Sequence, residues 1–155
     1  MLGCGEGVVA VDVAQPAPPF ELPDLDGRLV RLSDFAGRTV VIDFWATWCI
    51  PCKQQIPVLN ALYQSVRGQQ DVVVLGIAVD VDGQEVVAPF AAAHHIQYPV
   101  LLGEEKLAFD YGAPGFPALA VVDRAGRIDS LHLGVIDRSA LETAVRDAKS
   151  RPLPP

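Results

Sequence analysis

The pattern of hydrophobic and polar positions along the chain predicts alternating strands and helices. Residues 39–45 and 71–79 are near-continuous apolar runs rich in β-branched side chains, which is typical of strands covered on both faces. Apolar residues then recur at helical spacing from about residue 49 to 67, and again over 138–149. The middle of the chain is therefore predicted to hold buried strands joined by amphipathic helices.

Shorter signals complete the order of elements. Two alternating segments on either side of Asp26-Gly27 predict a β-hairpin over residues 20–32. The remaining predicted elements are helices over 83–95 and 104–111, a strand over 98–102, and a hairpin of strands over 118–122 and 127–132. Parallel units followed by an antiparallel hairpin imply an α/β fold with a mixed central sheet and helices on both faces.

The length and composition fit one globular domain. The chain has 155 residues, of which 50% are hydrophobic and 20% charged. Residues 1–19 have no periodic pattern and end in a proline-rich stretch, so they are predicted to be a lead-in or linker. The domain itself is predicted over residues 20–150.

The charge and the apolar runs restrict location and partners. The net charge of −7 argues against a nucleic-acid binder and against a protein that binds anionic membranes. No run approaches the roughly 20 apolar residues of a spanning helix, and no complete signal peptide is present. Small residues around Cys4 nevertheless look like the end of a lipoprotein signal. An ordinary free cysteine near the terminus is the alternative.

The cysteines indicate redox chemistry. The chain has three, too few for a disulfide scaffold, and two of them form a C-x-x-C pair, Cys49 and Cys52, where a buried strand ends and a helix begins. The positive end of that helix favours the thiolate of Cys49, which makes Cys49 the attacking sulfur. Cys52 lies about one turn later and would resolve the mixed disulfide. Pro51 lacks an N–H and fits the first helical turn.

Two other interpretations of the pair are a zinc half-site and two inert buried thiols. A tetrahedral zinc site needs four ligands, usually supplied by a second pair. The other candidates lie at no finger-like spacing: Cys4, His94, His95 and His132. The position of the pair after a strand, within an alternating α/β pattern, favours the redox interpretation.

The segment 41–53 resembles thioredoxins. The hairpin over 20–32 and the extra strand and helix over 80–102 resemble the TlpA/ResA/CcmG-like branch, whose members are extracytoplasmic thiol–disulfide oxidoreductases. The resemblance covers about residues 18–149. It implies a thioredoxin fold with an N-terminal β-hairpin and a central strand–helix insertion. It also implies no cofactor beyond the redox disulfide, no metal, protein substrates with disulfides or thiols, and a membrane electron donor of the DsbD or CcdA type. A monomer is expected.

The family's second signature is a cis-proline that faces the active-site disulfide. Pro117, after Gly115 and Phe116 and before the strand over 118–122, matches that position. A cis bond would expose the backbone of residue 116 for pairing with a substrate strand. The alternative is an ordinary trans loop proline, with Pro114 close by. Phe116 is larger than the residue that relatives carry, so it is expected to narrow or reshape the substrate groove.

Asp43 is the most unusual residue of the predicted core. It lies in an apolar strand six residues before Cys49, where thioredoxins carry a buried aspartate that relays protons for the resolving cysteine. Burial should raise the pKa of Asp43, and the partner lysine of thioredoxins falls at Gly76. Gln55 replaces a glutamate of ResA-like reductases. If Asp43 has taken over the acid–base role, Asp43→Asn should slow reduction strongly and Gln55→Ala only slightly. The alternative is a strand aspartate that simply finds a hydrogen bond.

The residues beside the cysteines are candidates for substrate binding. Trp48 is predicted to form a flat apolar wall for a docking substrate, together with Ile50, Pro51 and Phe116. Trp45 is predicted to pack beneath the site as part of the core.

A proline in the intervening dipeptide and a buried acid resemble the reducing members of the family. The expected activity is therefore reduction of disulfides in exported proteins, as in cytochrome c maturation. A peroxiredoxin-like peroxidase is one alternative, although peroxiredoxins need a threonine three residues before the cysteine, where this chain has Ala46 and places Thr47 one residue later. A non-enzymatic copper-binding protein of the Sco type is the other, and it would need a longer cysteine spacing and a histidine ligand.

Overall fold

A mixed five-stranded sheet lies at the centre of residues 15–155, the part of the chain that the computed structural model describes. Cys4, the predicted lipoprotein cysteine, lies outside the described residues. The elements in chain order are β1 (Glu21–Pro23), β2 (Leu29–Arg31), β3 (Thr39–Trp45), α1 (Ile50–Val66), β4 (Val72–Ala78), α2 (Gln84–Ala93), β5 (Val100–Leu102), α3 (Glu105–Asp110), β6 (Ala118–Val122), β7 (Ile128–Leu133) and α4 (Arg138–Lys149).

The sheet has the order β5-β4-β3-β6-β7, with β1 and β2 as a separate hairpin. β3 runs parallel to β4, and β4 parallel to β5. β6 is antiparallel to both β3 and β7. A single bridge from Asp24 to Leu101 attaches the hairpin to the edge strand β5. The predicted α/β class, the mixed sheet and the N-terminal hairpin are confirmed.

The central strand β3 separates two hydrophobic layers. All seven of its residues are buried, because it has a neighbour on each side and covered faces above and below. Val40, Ile42 and Phe44 pack into one layer. Val41 faces the opposite layer, which is built with residues of α1 and α4. Since side chains alternate along a strand, Asp43 lies on the α1 and α4 side of the sheet.

The two long helices cover that face with the stripes that the sequence predicts. In α1 the buried residues include Ile56, Leu59, Leu62 and Val66. Gln55 is buried on the same stripe. In α4 four apolar residues of the predicted helix 138–149 are buried: Leu141, Ala144, Val145 and Ala148. The face that carries Asp43 is thus closed by two packed helices.

The segment that precedes β1 is hydrogen-bonded to the sheet. Gln15 O accepts a 3.0 Å hydrogen bond from Ile128 N, and Ala17 N donates a 2.9 Å hydrogen bond to Gly126 O. The Tyr111 hydroxyl donates to Pro18 O at 2.7 Å. These contacts hold residues 15–18 against the start of β7 and the end of α3. Between residues 15 and 155, the helices are all too short or too polar to span a bilayer.

Candidate active site

Cys49 and Cys52 form a disulfide at the start of α1, with their Cα atoms 5.3 Å apart. Cys49 is the residue that caps the helix, in extended backbone conformation, while Cys52 lies within the first turn. Both are nearly buried, with 5% of Cys49 and 2% of Cys52 exposed. The chain direction therefore puts Cys49 at the mouth of the site and Cys52 behind it, as the C-x-x-C spacing predicts.

The end of α1 provides a positive electrostatic environment for the cysteine pair. The first helical turn contains no acidic residue and does contain Lys53. Pro51 lies in this turn, where its missing N–H leaves no hydrogen bond unmade. The unpaired N–H groups of a helix start attract negative charge, and no carboxylate in the turn offsets that attraction. Once the disulfide is reduced, this end of α1 can stabilise the Cys49 thiolate.

Asp43 is buried in the middle of β3, where it lies opposite Gly76 of β4 and Leu119 of β6. Burial raises the pKa of Asp43 well above its ordinary value of 3.8. Its Oδ1 atom has no hydrogen-bond partner among the described residues. The charge of Asp43, after the larger effect of burial, also raises the pKa of Tyr98. A carboxyl group whose burial favours the protonated form is therefore held on the α1 side of the sheet.

Gly76 leaves room for aromatic side chains beside Asp43. A Cβ atom at Gly76 would lie 3.0 Å from Trp45 Nε1 and 3.0 Å from Tyr98 Cε2. The resemblance to thioredoxins places a lysine at this position, and here two aromatic rings approach the glycine instead. Trp45 is buried in the same cluster as both cysteines, as predicted for a core residue.

The Phe116–Pro117 peptide bond is cis, which agrees with the interpretation of this proline from the sequence. Pro117 O accepts a 2.9 Å hydrogen bond from Gly134 N at the end of β7. Phe116 packs against the cluster that contains Cys49 and Cys52. The structure thus brings the Phe116–Pro117 loop and the cysteine pair together from positions more than 60 residues apart.

An apolar rim, formed by Trp48, Ile50 and Phe116, surrounds the mouth of the site. Trp48 is 61% exposed and Ile50 is 71% exposed. The rings of Trp48 and Phe116 meet edge to face, with centroids 5.9 Å apart. Large exposed apolar side chains that flank a reactive pair are well placed to meet another protein. Phe116 therefore forms one wall of the opening together with Trp48.

Two polar residues make contacts at the site that the sequence did not indicate. Asp80, just after β4, accepts hydrogen bonds from Thr47 N at 3.1 Å and from the Thr47 hydroxyl at 2.6 Å. It fixes the loop that leads to Trp48. Its position in the sequence could have indicated this contact. Asp80 follows β4 and Thr47 follows β3, and the carboxyl ends of these parallel strands lie at the same edge of the sheet. The second residue is Gln55, whose buried amide bonds to the backbone of Ile136.

The histidines do not gather at the cysteines. His94 and His95 are exposed. His132 is buried in β7, where burial lowers its pKa and its Nε2 atom lies 2.9 Å from the Ser130 hydroxyl. Residues 15–155 contain no group of three or more histidine, cysteine or acidic side chains that could hold a metal ion.

Comparison with known proteins assigns the family. The model of the AhpC/TSA family matches residues 13–131. The chain belongs to the AhpC/TSA family. Thiol-disulfide oxidoreductase ResA of Geobacillus thermodenitrificans is 30% identical over 141 residues, which are 90% of this chain and 80% of that protein. Thioredoxin-like protein YneN of Bacillus subtilis is 29% identical over 134 residues, covering 86% of this chain and 79% of YneN.

A similar solved structure supports this family membership. A Chlorobium tepidum protein, assigned as the thiol:disulfide interchange protein DsbE, superposes with a TM-score of 0.80. The two are 30% identical, and the match covers 90% of this chain and 99% of the other. The protein is thus a thioredoxin-fold thiol–disulfide oxidoreductase, and its C-x-x-C pair forms a disulfide in the structure.

Proposed function

We propose that the protein is an extracytoplasmic reductase of protein disulfides, of the type that serves cytochrome c maturation, with Cys49 and Cys52 as its redox pair. The observation that carries this proposal is the position of Cys49. It caps α1 at an end without acidic residues and stands inside the apolar rim, whereas Cys52 lies within the helix. This asymmetry suits one attacking and one resolving thiol.

The reaction transfers two electrons from the cysteine pair to the substrate. The Cys49 thiolate attacks one sulfur of a substrate disulfide, so a mixed disulfide forms and the other substrate sulfur leaves as a thiolate. The Cys52 thiolate then attacks the Cys49 sulfur. The second substrate thiolate leaves, and the Cys49–Cys52 disulfide remains.

Asp43 is the acid–base group that we assign to Cys52. It lies on the same face of β3 as Trp45, whose side chain packs in the cluster that contains Cys52. Because burial raises its pKa, the ionised carboxyl group is a stronger base toward the Cys52 proton than an ordinary carboxylate, and it can release that proton again. A carboxylate with an ordinary pKa would be a weaker base for this thiol.

Protein substrates dock on the apolar rim and on the Pro117 loop in this proposal. Trp48 and Ile50 offer exposed apolar surface on one side of Cys49, next to Pro51. Phe116 and Pro117 form the other side, and the backbone of residue 116 would pair with an extended substrate segment. We assign Cys49, Cys52, Asp43 and Pro117 to the chemistry, and Trp48, Ile50, Pro51 and Phe116 to substrate binding.

The names of the relatives support a proposal about the wider setting. The ResA proteins carry thiol-disulfide oxidoreductase in their names. We propose by analogy that the chain works outside the cytoplasm as a monomer, and that a membrane protein of the DsbD or CcdA type reduces it again. Neither a metal nor an organic cofactor enters the reaction.

The reduction potential tests the direction of electron transfer. Equilibration of the Cys49–Cys52 couple with glutathione should give a potential in the range of thioredoxin, about −270 mV. Insulin reduction should be lost in Cys49→Ser, and Cys52→Ser should accumulate a mixed disulfide. A potential close to that of DsbA, about −120 mV, would instead identify an oxidant. Reduction of peroxide without reduction of insulin would favour the peroxidase alternative.

A further inference from the structure

The side chain of Gln55 bonds to both backbone polar atoms of one distant residue. Gln55 Oε1 accepts a hydrogen bond from Ile136 N at 2.9 Å, and Gln55 Nε2 donates one to Ile136 O at 3.1 Å. Both residues are buried, and they are 81 positions apart in the chain. An unpaired N–H or carbonyl in such a place is costly, so this two-point contact fixes the backbone of Ile136 relative to α1.

Ile136 belongs to the connection between β7 and α4, here named the 134–137 segment. At one end Gly134 N donates to Pro117 O at 2.9 Å. At the other end the Asp137 carboxylate caps α4 by accepting from Ala140 N at 2.8 Å. Between these two ends, Gln55 bonds to Ile136. Hydrogen bonds at Ile136 and at Gly134, joined by the backbone between these two residues, therefore link the helix that carries Cys52 to Pro117.

Gln55 also lies close to the resolving cysteine. It follows Cys52 by three positions on α1, so the two residues share the buried face of the helix. A shift of the 134–137 segment would move Pro117 without moving Cys52. The Gln55 amide is the contact that opposes such a shift.

We propose that Gln55 is a positioning residue, which holds the Pro117 loop at a fixed distance from the Cys49–Cys52 pair for docking of a protein substrate. This inference rests on the proposed function, because it assigns substrate docking to the Pro117 loop. An amide offers both a donor group and an acceptor at every pH. A carboxyl group offers the same pair only when protonated, so glutamine makes the contact independent of pH.

The variant Gln55→Glu tests this property directly. At pH 5 a protonated glutamate can replace the amide, so insulin should be reduced at nearly the wild-type rate. At pH 8 the ionised carboxylate loses its donor and faces Ile136 O. The ratio of variant to wild-type kcat/KM for insulin should then fall about tenfold, as expected for a buried hydrogen bond that is broken. The neighbouring Gln54 is exposed, so Gln54→Glu is the matched control and should give a constant ratio.

A second pair of measurements separates positioning from chemistry. Because Gln55 holds Ile136 at two points, Gln55→Ala should raise KM for insulin about tenfold, which replaces the slight effect expected from the sequence. Its rate with a small disulfide such as oxidised glutathione should stay within about twofold of wild type. Hydrogen exchange of the Ile136 and Gly134 amides should accelerate in Gln55→Ala and not in Gln54→Ala. An equal loss of activity toward insulin and toward oxidised glutathione would overturn the positioning role.

The outcomes also distinguish this inference from the proposed function. If wild type reduces insulin, and Gln55→Glu shows a constant ratio from pH 5 to pH 8, the positioning role is wrong and the reductase function stands. If wild type does not reduce insulin, the proposed function fails. In that case, an unchanged rate of hydrogen exchange at the Gly134 amide in Gln55→Ala would also show that Gln55 does not hold the Pro117 loop. If Gln55→Ala does not fold, Gln55→Glu at low pH still decides the question.

Discussion

At the scale of single residues, Asp43 places an ionisable group where its charge is poorly solvated. It is buried on the central strand, and its neighbours across the sheet are Gly76 and Leu119. The folded protein therefore favours the protonated acid, while the unfolded chain ionises at the ordinary value of 3.8. The difference between the two states makes the stability of the protein depend on pH.

Asp43→Asn should remove this dependence. The stabilisation from the protonated carboxyl is fully present below the unfolded value of 3.8 and is lost as pH rises through the raised pKa of the folded state. The stabilisation lost is about 1.4 kcal/mol for each pH unit that separates the unfolded and folded pKa values. Urea unfolding of the oxidised proteins should show Asp43→Asn more stable than wild type at pH 8, with the advantage vanishing toward pH 4.

The control for this prediction is Asp26→Asn, at an exposed position of the β1–β2 turn. The difference in unfolding free energy between Asp26→Asn and wild type should stay constant from pH 4 to pH 8.

Asp43→Asn should also slow insulin reduction by about a hundredfold, because general acid–base groups contribute on this scale. If Asp43→Asn and wild type differ in stability by the same amount at pH 4 and pH 8, the pKa of Asp43 is not raised in the folded protein.

The sequence reveals some site residues and hides others for a physical reason. The spacing of Cys49 and Cys52, and the charge of Asp43 within an apolar strand, are local features. Gln55 and Asp80 act through atoms that lie 81 and 33 positions away. Their side chains are ordinary in their own segments, so only the folded chain shows what they hold.

At the scale of the elements, Asp43 of β3 is paired with Gly76 of β4. The missing side chain of Gly76 is what lets the rings of Trp45 and Tyr98 lie beside it, since both would be 3.0 Å from a Cβ atom. Hydrophobic pattern alone predicts both strands correctly, and it does not show that a glycine is needed between two aromatic rings. That requirement comes from the packing of three elements, because Tyr98 precedes β5.

Gly76→Ala should destabilise the protein by about 1–3 kcal/mol, because an added methyl group must displace well-packed rings. Gly68 provides the matched control: a Cβ atom there would meet nothing within 4 Å. Gly68→Ala should leave stability within about 0.5 kcal/mol or raise it slightly. Urea unfolding of the three oxidised proteins measures the difference. An equal effect of the two substitutions would show that the rings move aside without cost.

At the scale of the whole molecule, the order of elements determines most of the architecture. Alternating strands and helices with short connections restrict β3, β4 and β5 to a parallel arrangement, and the two-strand hairpin at 118–133 adds the antiparallel half. The attachment of residues 15–18 is different. It depends on backbone hydrogen bonds to residues 126–128, and such bonds leave no pattern of side chains to detect. The proline-rich composition indicates only an extended segment.

The contacts of residues 15–18 lead to a prediction about where the folding unit begins. Ala17 is buried in the same hydrophobic cluster as Phe20, and the Tyr111 hydroxyl bonds to Pro18 O. A chain that begins at Phe20 loses these contacts and leaves the buried Tyr111 hydroxyl without that partner, which should cost about 1–3 kcal/mol. A chain that begins at Gln15 keeps them. Urea unfolding of the two oxidised chains should therefore show the shorter one less stable, and Tyr111→Phe should narrow the gap because it removes the shared hydrogen bond. Equal midpoints and slopes would place the start of the folding unit at residue 20, the boundary that the sequence predicts.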